Sequence, residues 1–472
     1  MSNAVSLLAW TSLLRAVATP STTPASVPAS APVGQPPAQL VGAALSTDRP
    51  YQRLRHLTDH IGPRLAGSVG LETAVKWALA ELAADHLESV RADPVAVPHW
   101  VRGEERARLL QPMARPLPVL GLGGTIGTPP GGITAPVVGV RSMAELPALG
   151  DRARGAIVLF NCAMPPELPP FDAYDKAYDC RSDSASAAAK LGAQAVLVRS
   201  LTTRSLQTLH TGTLWYDDKV KQIPATSVTI EDAELIQRAL DRGEPVRVQL
   251  ELGARRLPDA RSANVIAEWR GRERPDEIVL IGAHLDSWDV GTGAQDNGSG
   301  VVVAMEVVGV LQRQGLRPRR TVRVVLFTNE ENGMKGAYDY FKQHGAEHHV
   351  AVIEIDRGAG RPTGWSVDGS PGTLARVQEL AGPLLSIGAD RVEAGFAGVD
   401  VIPLTRAGVA GLELEADASH YFDVHHCAAD TFEKVDRRDL ALQTAAATAL
   451  VWQLAESVDP LPPGVRKKTD QE

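Results

Sequence analysis

Apolar positions change their spacing as the chain proceeds. Through 51–61 and 70–87 they recur every three or four residues, the pattern of helices with one face inside, and Gly62-Pro63-Arg64 breaks the two runs. From 256 onward short Val-, Ile- and Leu-rich runs alternate with longer periodic stretches: strand 277–283, helix 298–311, strand 321–327, helix 336–344, strand 350–355. That alternation predicts an α/β fold with a mixed, largely parallel central sheet and helices on both faces. A fainter copy of the pattern, with strands at 155–160 and 195–199 and helices at 184–191 and 230–240, predicts a smaller α/β domain inserted at 112–255. The main domain is then assembled from 45–111 and 256–460. Gly121 to Gly127 departs from a dinucleotide fingerprint at Ile126 and precedes no helical pattern, so it reads as a loop.

The ends of the chain lack this patterning. Residues 4–14 form a short apolar run in the position of a signal peptide, although no Lys or Arg precedes it, and 18–39 are Pro, Ala, Ser and Thr with almost no charge. Segment 1–44 is therefore expected to be a signal-like stretch and an unfolded linker, and 461–472 an unfolded tail. A secreted or periplasmic protein is the expectation, with a cytoplasmic one as the alternative. The apolar run is too short to span a bilayer, so no membrane partner is expected.

Composition narrows the function. A net charge of -8 with no long basic run argues against nucleic acid as a partner. The cysteines Cys162, Cys180 and Cys427 are too few for a disulfide framework and match no structural zinc spacing, which leaves one Cys162 to Cys180 bridge open.

Candidate chemistry sits at the ends of the predicted strands. His284 and Asp286 follow the first strand, Asp296-Asn297 opens the next helix, Glu330-Glu331 follows the second strand, Asp356 the third, and His425-His426 stand shortly before Asp430. Two zinc ions about 3.5 to 4 Å apart need a bridging carboxylate and about two further ligands each, converging from different strand ends. Asp296 can be the bridge, with His284 and Asp356 completing one site and Glu331 and His426 the other. Glu330 is then left over beside a ligand, where a general base for a metal-bound water would stand. Asp286 suits a carboxylate that orients the His284 imidazole. Each of these residues has an ordinary explanation when taken singly; their order along successive strands is what points to a metal site.

The run Gly-Ala-His284-Leu-Asp286-Ser, then Asp296-Asn-Gly-Ser-Gly, Glu330-Glu331-Asn-Gly, Asp356 and His426-Cys-Ala-Ala-Asp430-Thr resembles the co-catalytic di-zinc exopeptidases, a family that includes bacterial aminopeptidases and glutamate carboxypeptidase. The likeness is strongest to the plasma glutamate carboxypeptidase branch and runs from about 51 to 454. It implies two zinc ions held by His284, Asp296, Glu331, Asp356 and His426, with Glu330 as base, Asp286 and Asp430 supporting the ligands, and a cis peptide at Asp296-Asn297. The choice of His426 over His425 follows the family register, in which the ligand stands four residues before the Asp of Asp-Thr. His425 occupies the place where several relatives carry a tyrosine that donates to the scissile carbonyl oxygen, and it inherits that expected catalytic role. The inserted segment would correspond to the family's protease-associated domain, with the loop around His210 as the wall that limits peptide length. The implied activity is hydrolysis of dipeptides or short peptides with a free amino terminus, in a chain that could form a homodimer. A receptor-like relative without activity and a glutaminyl cyclase are the alternatives; the complete ligand set speaks against the first and the paired glutamates against the second.

Overall fold

A computed structural model describes residues 37–466. Its central sheet has eight strands in the order Glu88–Val101, Arg255–Trp269, Arg320–Phe327, Arg274–His284, His348–Glu354, Gly411–Ala416, Pro362–Asp368 and Arg391–Ala394. From Arg320–Phe327 to Gly411–Ala416 the neighbours run parallel, while antiparallel pairs flank them. The sheet is mixed, with a parallel block in the middle and one further parallel pair, Pro362–Asp368 with Arg391–Ala394, at an edge.

The continuous apolar run at 278–283 is explained by burial on both faces. Val279, Ile281 and Ala283 enter the large core, and Ile278 and Leu280 enter a smaller one with Phe327, Tyr340 and Leu404. Successive strand side chains point to opposite faces, so a strand covered on both sides needs apolar residues at every position. The Ser299–Arg313 helix is buried along nearly its whole length, between the sheet and the Arg437–Glu456 helix.

A second sheet, also of eight strands, is built from 105–252, with Ile133–Val140, Ile157–Phe160, Ala195–Arg199 and Ala225–Val228 running parallel at its middle. Separate apolar clusters cover its two faces. It begins earlier than the expected insertion: Glu105–Gln111 pairs antiparallel with Arg247–Leu252, because the chain must leave and re-enter on adjacent strands. Cys162 and Cys180 are joined by a disulfide, which ties the loop after Ile157–Phe160 to the Pro170–Ser182 helix.

Both ends depart from expectation. Pro37–Leu45, assigned by composition to an unfolded linker, is a helix whose Leu40 and Ala44 are fully buried and which packs against Arg437–Glu456. An apolar face over two turns outweighs the Pro-rich context once a partner helix is present. Leu461, assigned to the tail, is buried in the main core, and the Pro462 carbonyl accepts a hydrogen bond from the Thr373 hydroxyl at 3.0 Å. The signal-like run at 4–14 and the last residues of the tail lie outside the described residues. Among the described residues no helix is long and apolar enough to cross a membrane.

Candidate metal centre

His284 is the last residue of its strand, and the other candidate ligands come from loops at the same edge of the sheet. Its Nδ1 lies 3.0 Å from the Asp286 carbonyl oxygen and donates to it, which leaves Nε2 as a bare lone pair. That Nε2 stands 3.2 Å from Asp296 Oδ1 and 3.3 Å from Asp356 Oδ1. On the far side of Asp296, its Oδ2 is 3.1 Å from His426 Nε2, which is also 3.1 Å from Glu331 Oε2. Asp296 thus faces both pairs, as a bridging carboxylate must.

These distances fit metal ions. Two ligands held at 2.0–2.1 Å by a tetrahedral zinc stand about 3.3 Å apart. His284 Nε2, Glu331 Oε1 and Asp356 Oδ1 are buried without a hydrogen-bond partner. Carboxylate oxygens facing an imidazole nitrogen at these distances call for positive charge between them, a proton on the nitrogen or a bound cation. Burial lowers the His284 imidazole's proton affinity, yet Asp356 and Asp296 raise it well above the ordinary value, another sign of a position that calls for positive charge. The donor set of two imidazoles and three carboxylates is one that zinc accepts.

The supporting carboxylates act on backbone. Asp286 Oδ1 accepts from the Glu330 N–H at 3.1 Å and Oδ2 from the Glu331 N–H at 3.3 Å, while its closest oxygen is 3.8 Å from His284 Nδ1. Its carboxylate therefore sets the Glu330-Glu331 turn, and it is the Asp286 carbonyl that orients the imidazole, a correction to the sequence reading. Asp430 does the same for the bridge, accepting from the N–H groups of Ala294, Gln295 and Asp296 at 3.1, 2.7 and 3.2 Å. The Asp296-Asn297 peptide is cis. Beneath these turns lies Arg64, fully enclosed, donating to the carbonyls of Gly62, Leu285, Thr292 and Gly293. Burial lowers its pKa to about 10, partly opposed by Asp430 and Asp286, so it remains a fixed positive charge under an acidic site. Nothing in the spacing of Gly-Pro-Arg announces that role.

Glu330 is half-buried and lines a cavity of about 710 Å³ together with Asp296, Glu331, Asp356, His425 and His426. Burial pushes its carboxyl up to about 8; His284 opposes the shift, and the neighbouring Asp356, Asp286 and Asp296 add to it. Glu354 and Asp400 are buried nearby, and desolvation raises both, followed by the Asp400 charge for Glu354 and the Glu330 charge for Asp400.

His425 stacks on His426 with ring centroids 3.5 Å apart and meets Tyr174 edge-on. Its Nε2 is 3.6 Å from Asp296 Oδ2, so a group of Asp296, His425 and His426 could also hold an ion. His426 is better placed, since it alone of the two also meets Glu331. The nearby Asp423 pairs with Arg204 and His420 and not with His425.

The loop around His210 lines the cavity through Thr213 and Trp215, while His210 itself lies behind that wall. His210 is 2% exposed, and its Nδ1 donates to the His425 carbonyl at 2.6 Å. The inserted segment contributes Tyr174, Tyr178, Arg181, Thr213 and Trp215 to the lining. Arg181 is 3% exposed, its Nε and Nη1 have no hydrogen-bond partner, and among the described residues no carboxylate pairs with it. Its guanidinium lies over the rings of Tyr174 and Tyr178. Sequence reasoning missed it because Cys-Arg-Ser within a helix carries no spacing signal.

A family model described as Peptidase family M28 matches residues 264–451. Carboxypeptidase Q of Mus musculus is 39% identical over 417 residues, covering 88% of this chain and 87% of that protein. Carboxypeptidase Q of Xenopus laevis is 40% identical with the same coverage. Among solved structures, a Peptidase M28 precursor from Shewanella amazonensis is similar at a TM-score of 0.88 and 36% identity, covering 91% of this chain and 98% of its own. A zinc aminopeptidase from Bacillus subtilis shares the fold, at a TM-score of 0.63 and 21% identity over 86% of this chain and 94% of its own.

Proposed function

Since the chain belongs to peptidase family M28, as a metallopeptidase homologous to carboxypeptidase Q, we propose that it is a zinc-dependent exopeptidase that hydrolyses dipeptides with a free amino and a free carboxyl terminus. One observation carries the substrate class. A single cavity is acidic around Asp296, Glu330 and Asp356 and also contains Arg181, a buried cation without a carboxylate partner. A buried guanidinium with no carboxylate partner favours a carboxylate ligand, and the acidic end favours an ammonium group. A dipeptide has both.

His284, Asp296 and Asp356 would hold one zinc, and Asp296, Glu331 and His426 the other. Zinc bound there would polarise the scissile carbonyl and lower the pKa of a water towards neutrality. Glu330 takes that water's proton on its carboxylate and returns it to the leaving amine nitrogen, a role suited to a carboxyl with raised proton affinity. His425, neutral because burial holds its pKa well below the ordinary value, presents an N–H to the developing oxyanion. No covalent intermediate forms. The Cys162–Cys180 disulfide supports an oxidising compartment, secreted or periplasmic.

A panel comparing one dipeptide with its N-acetylated and C-amidated forms, each with and without zinc, tests this reading. The free dipeptide should be cleaved only by the zinc-loaded protein. Acetylation should abolish turnover, and amidation should raise KM in wild type but not in Arg181→Met. Equal cleavage of all three forms would overturn it.

A further inference from the structure

Glu331 and His426 are held differently from His284. His284 ends a strand and inherits its position from the sheet, whereas His426 lies in an irregular stretch and carries a left-handed backbone, φ 59°, that non-glycine residues avoid. Asn329, two residues before Glu331, is also left-handed at φ 66°. Conformations of this kind persist only where the surroundings fix them.

Besides Asp286, which takes the Glu330 and Glu331 N–H groups, the surroundings that hold these backbones include a loop of the inserted segment. His210 Nδ1–H donates to the His425 carbonyl at 2.6 Å, the Thr211 N–H to the His426 carbonyl at 2.9 Å, and the Thr213 hydroxyl to the Glu331 carbonyl at 2.6 Å. All three residues are buried. His210 is itself oriented: its N–H donates to Ser200 Oγ at 3.0 Å, and its Nε2 lies 2.8 Å from the Thr208 hydroxyl. The loop is tied back through Gly123 N to Gly212 O at 2.9 Å and Leu214 N to Gly123 O at 3.1 Å. A side chain at Gly212 would have its Cβ within 2.3 Å of Arg181 Nη1, so the guanidinium packs directly on this backbone.

We propose that His210, Thr211 and Thr213 are positioning residues for the metal centre, so that a loop of the inserted segment holds His426 and Glu331 at ligand spacing while bracing Arg181. The inference rests on the reading of His426 and Glu331 as zinc ligands. Removing groups that orient metal ligands costs about 10- to 100-fold in affinity or activity.

The test uses the full chain as wild type, His210→Ala, His210→Asn and Thr213→Val. The readouts are zinc affinity by competition with a chromophoric chelator, the visible absorption of the cobalt-substituted protein, kcat and KM for a dipeptide, and far-UV circular dichroism of the metal-free chains. His210→Ala should bind zinc about 10- to 100-fold more weakly, with an altered cobalt spectrum and a loss in kcat larger than any change in KM. His210→Asn places an amide N–H near the lost Nδ1–H and should recover most of the affinity. Thr213→Val keeps the buried volume and should weaken zinc in the same way, which carries the test even where His210→Ala does not fold. A folded His210→Ala with wild-type zinc affinity and cobalt spectrum overturns this inference alone, as does a His210→Asn no better than His210→Ala. Wild-type protein that takes up no zinc overturns the ligand assignment, and this inference with it.

Discussion

The Asp286 side chain holds Glu331 by its backbone, with Oδ2 3.3 Å from the Glu331 N–H while Oδ1 takes the Glu330 N–H at 3.1 Å. Asparagine keeps one acceptor and turns an NH2 group towards a buried N–H, so Asp286→Asn leaves one donor unmatched, at a cost of about 1–3 kcal/mol. Because the strained turn carries the proposed ligand and the proposed base together, Asp286→Asn should lose zinc affinity and turnover jointly, each by about 10- to 100-fold. Zinc competition and dipeptide kinetics on the same preparation check this, and unchanged affinity would sink it.

Glu330→Gln separates the neighbours. It removes the proton carrier and leaves every proposed ligand in place, so zinc content should match wild type while kcat falls about 10² to 10⁴-fold. A parallel loss of zinc would mean that the roles of Glu330 and Glu331 are exchanged.

His425→Phe keeps an aromatic ring against His426 and Tyr174 but has no N–H. One oxyanion donor is worth on the order of 10² to 10³-fold in kcat. Phenylalanine should lose that factor at unchanged zinc content, and His425→Tyr should restore part of it. Wild-type turnover by His425→Phe would remove the role assigned here.

Away from the site, His349 predicts an acid sensitivity. Tyr340 Oη donates to its Nε2 at 3.0 Å, Arg323 donates to Tyr340 at 2.9 Å, and His349 Nδ1 donates to the Glu347 carbonyl at 3.1 Å, so the imidazole is bound as the neutral form. Burial, then the Arg323 charge, lowers its pKa from 6.5 to about 4. Above pH 6.5 neither folded nor unfolded chain protonates it, and the contribution to stability is complete. Between pH 6.5 and 4 the unfolded chain takes up a proton that the folded chain refuses, so stability falls as pH falls, by on the order of 2–3 kcal/mol for this group. The stability gap between wild type and His349→Gln, measured by urea unfolding, should therefore narrow from pH 7.5 to pH 4.5. A gap independent of pH would exclude the titration.

What the sequence revealed and what it hid have a common cause. Strands 277–283, 321–327 and 350–355 were readable because burial on both faces demands unbroken apolar runs. The candidate ligands were readable because residues just past parallel strands share one edge of the sheet. The partners of Asp286, His210 and Thr213 were not readable, since they are backbone N–H and carbonyl groups that every residue possesses. Pairing of Glu105–Gln111 with Arg247–Leu252 was hidden because it joins segments far apart in the chain. Arg181 was hidden because its meaning lies in the partner it lacks.

The Pro37–Leu45 helix limits how the chain can be trimmed. Leu40, Val41 and Ala44 are buried against the core, and each large apolar side chain so placed contributes roughly 1.5–3 kcal/mol. A cut inside the helix uncovers an apolar stripe on Arg437–Glu456, the helix that also backs Ser299–Arg313 behind Asp296. Losing the Pro37–Leu45 helix would therefore be felt at the proposed zinc ligands, through the core rather than through any contact with them.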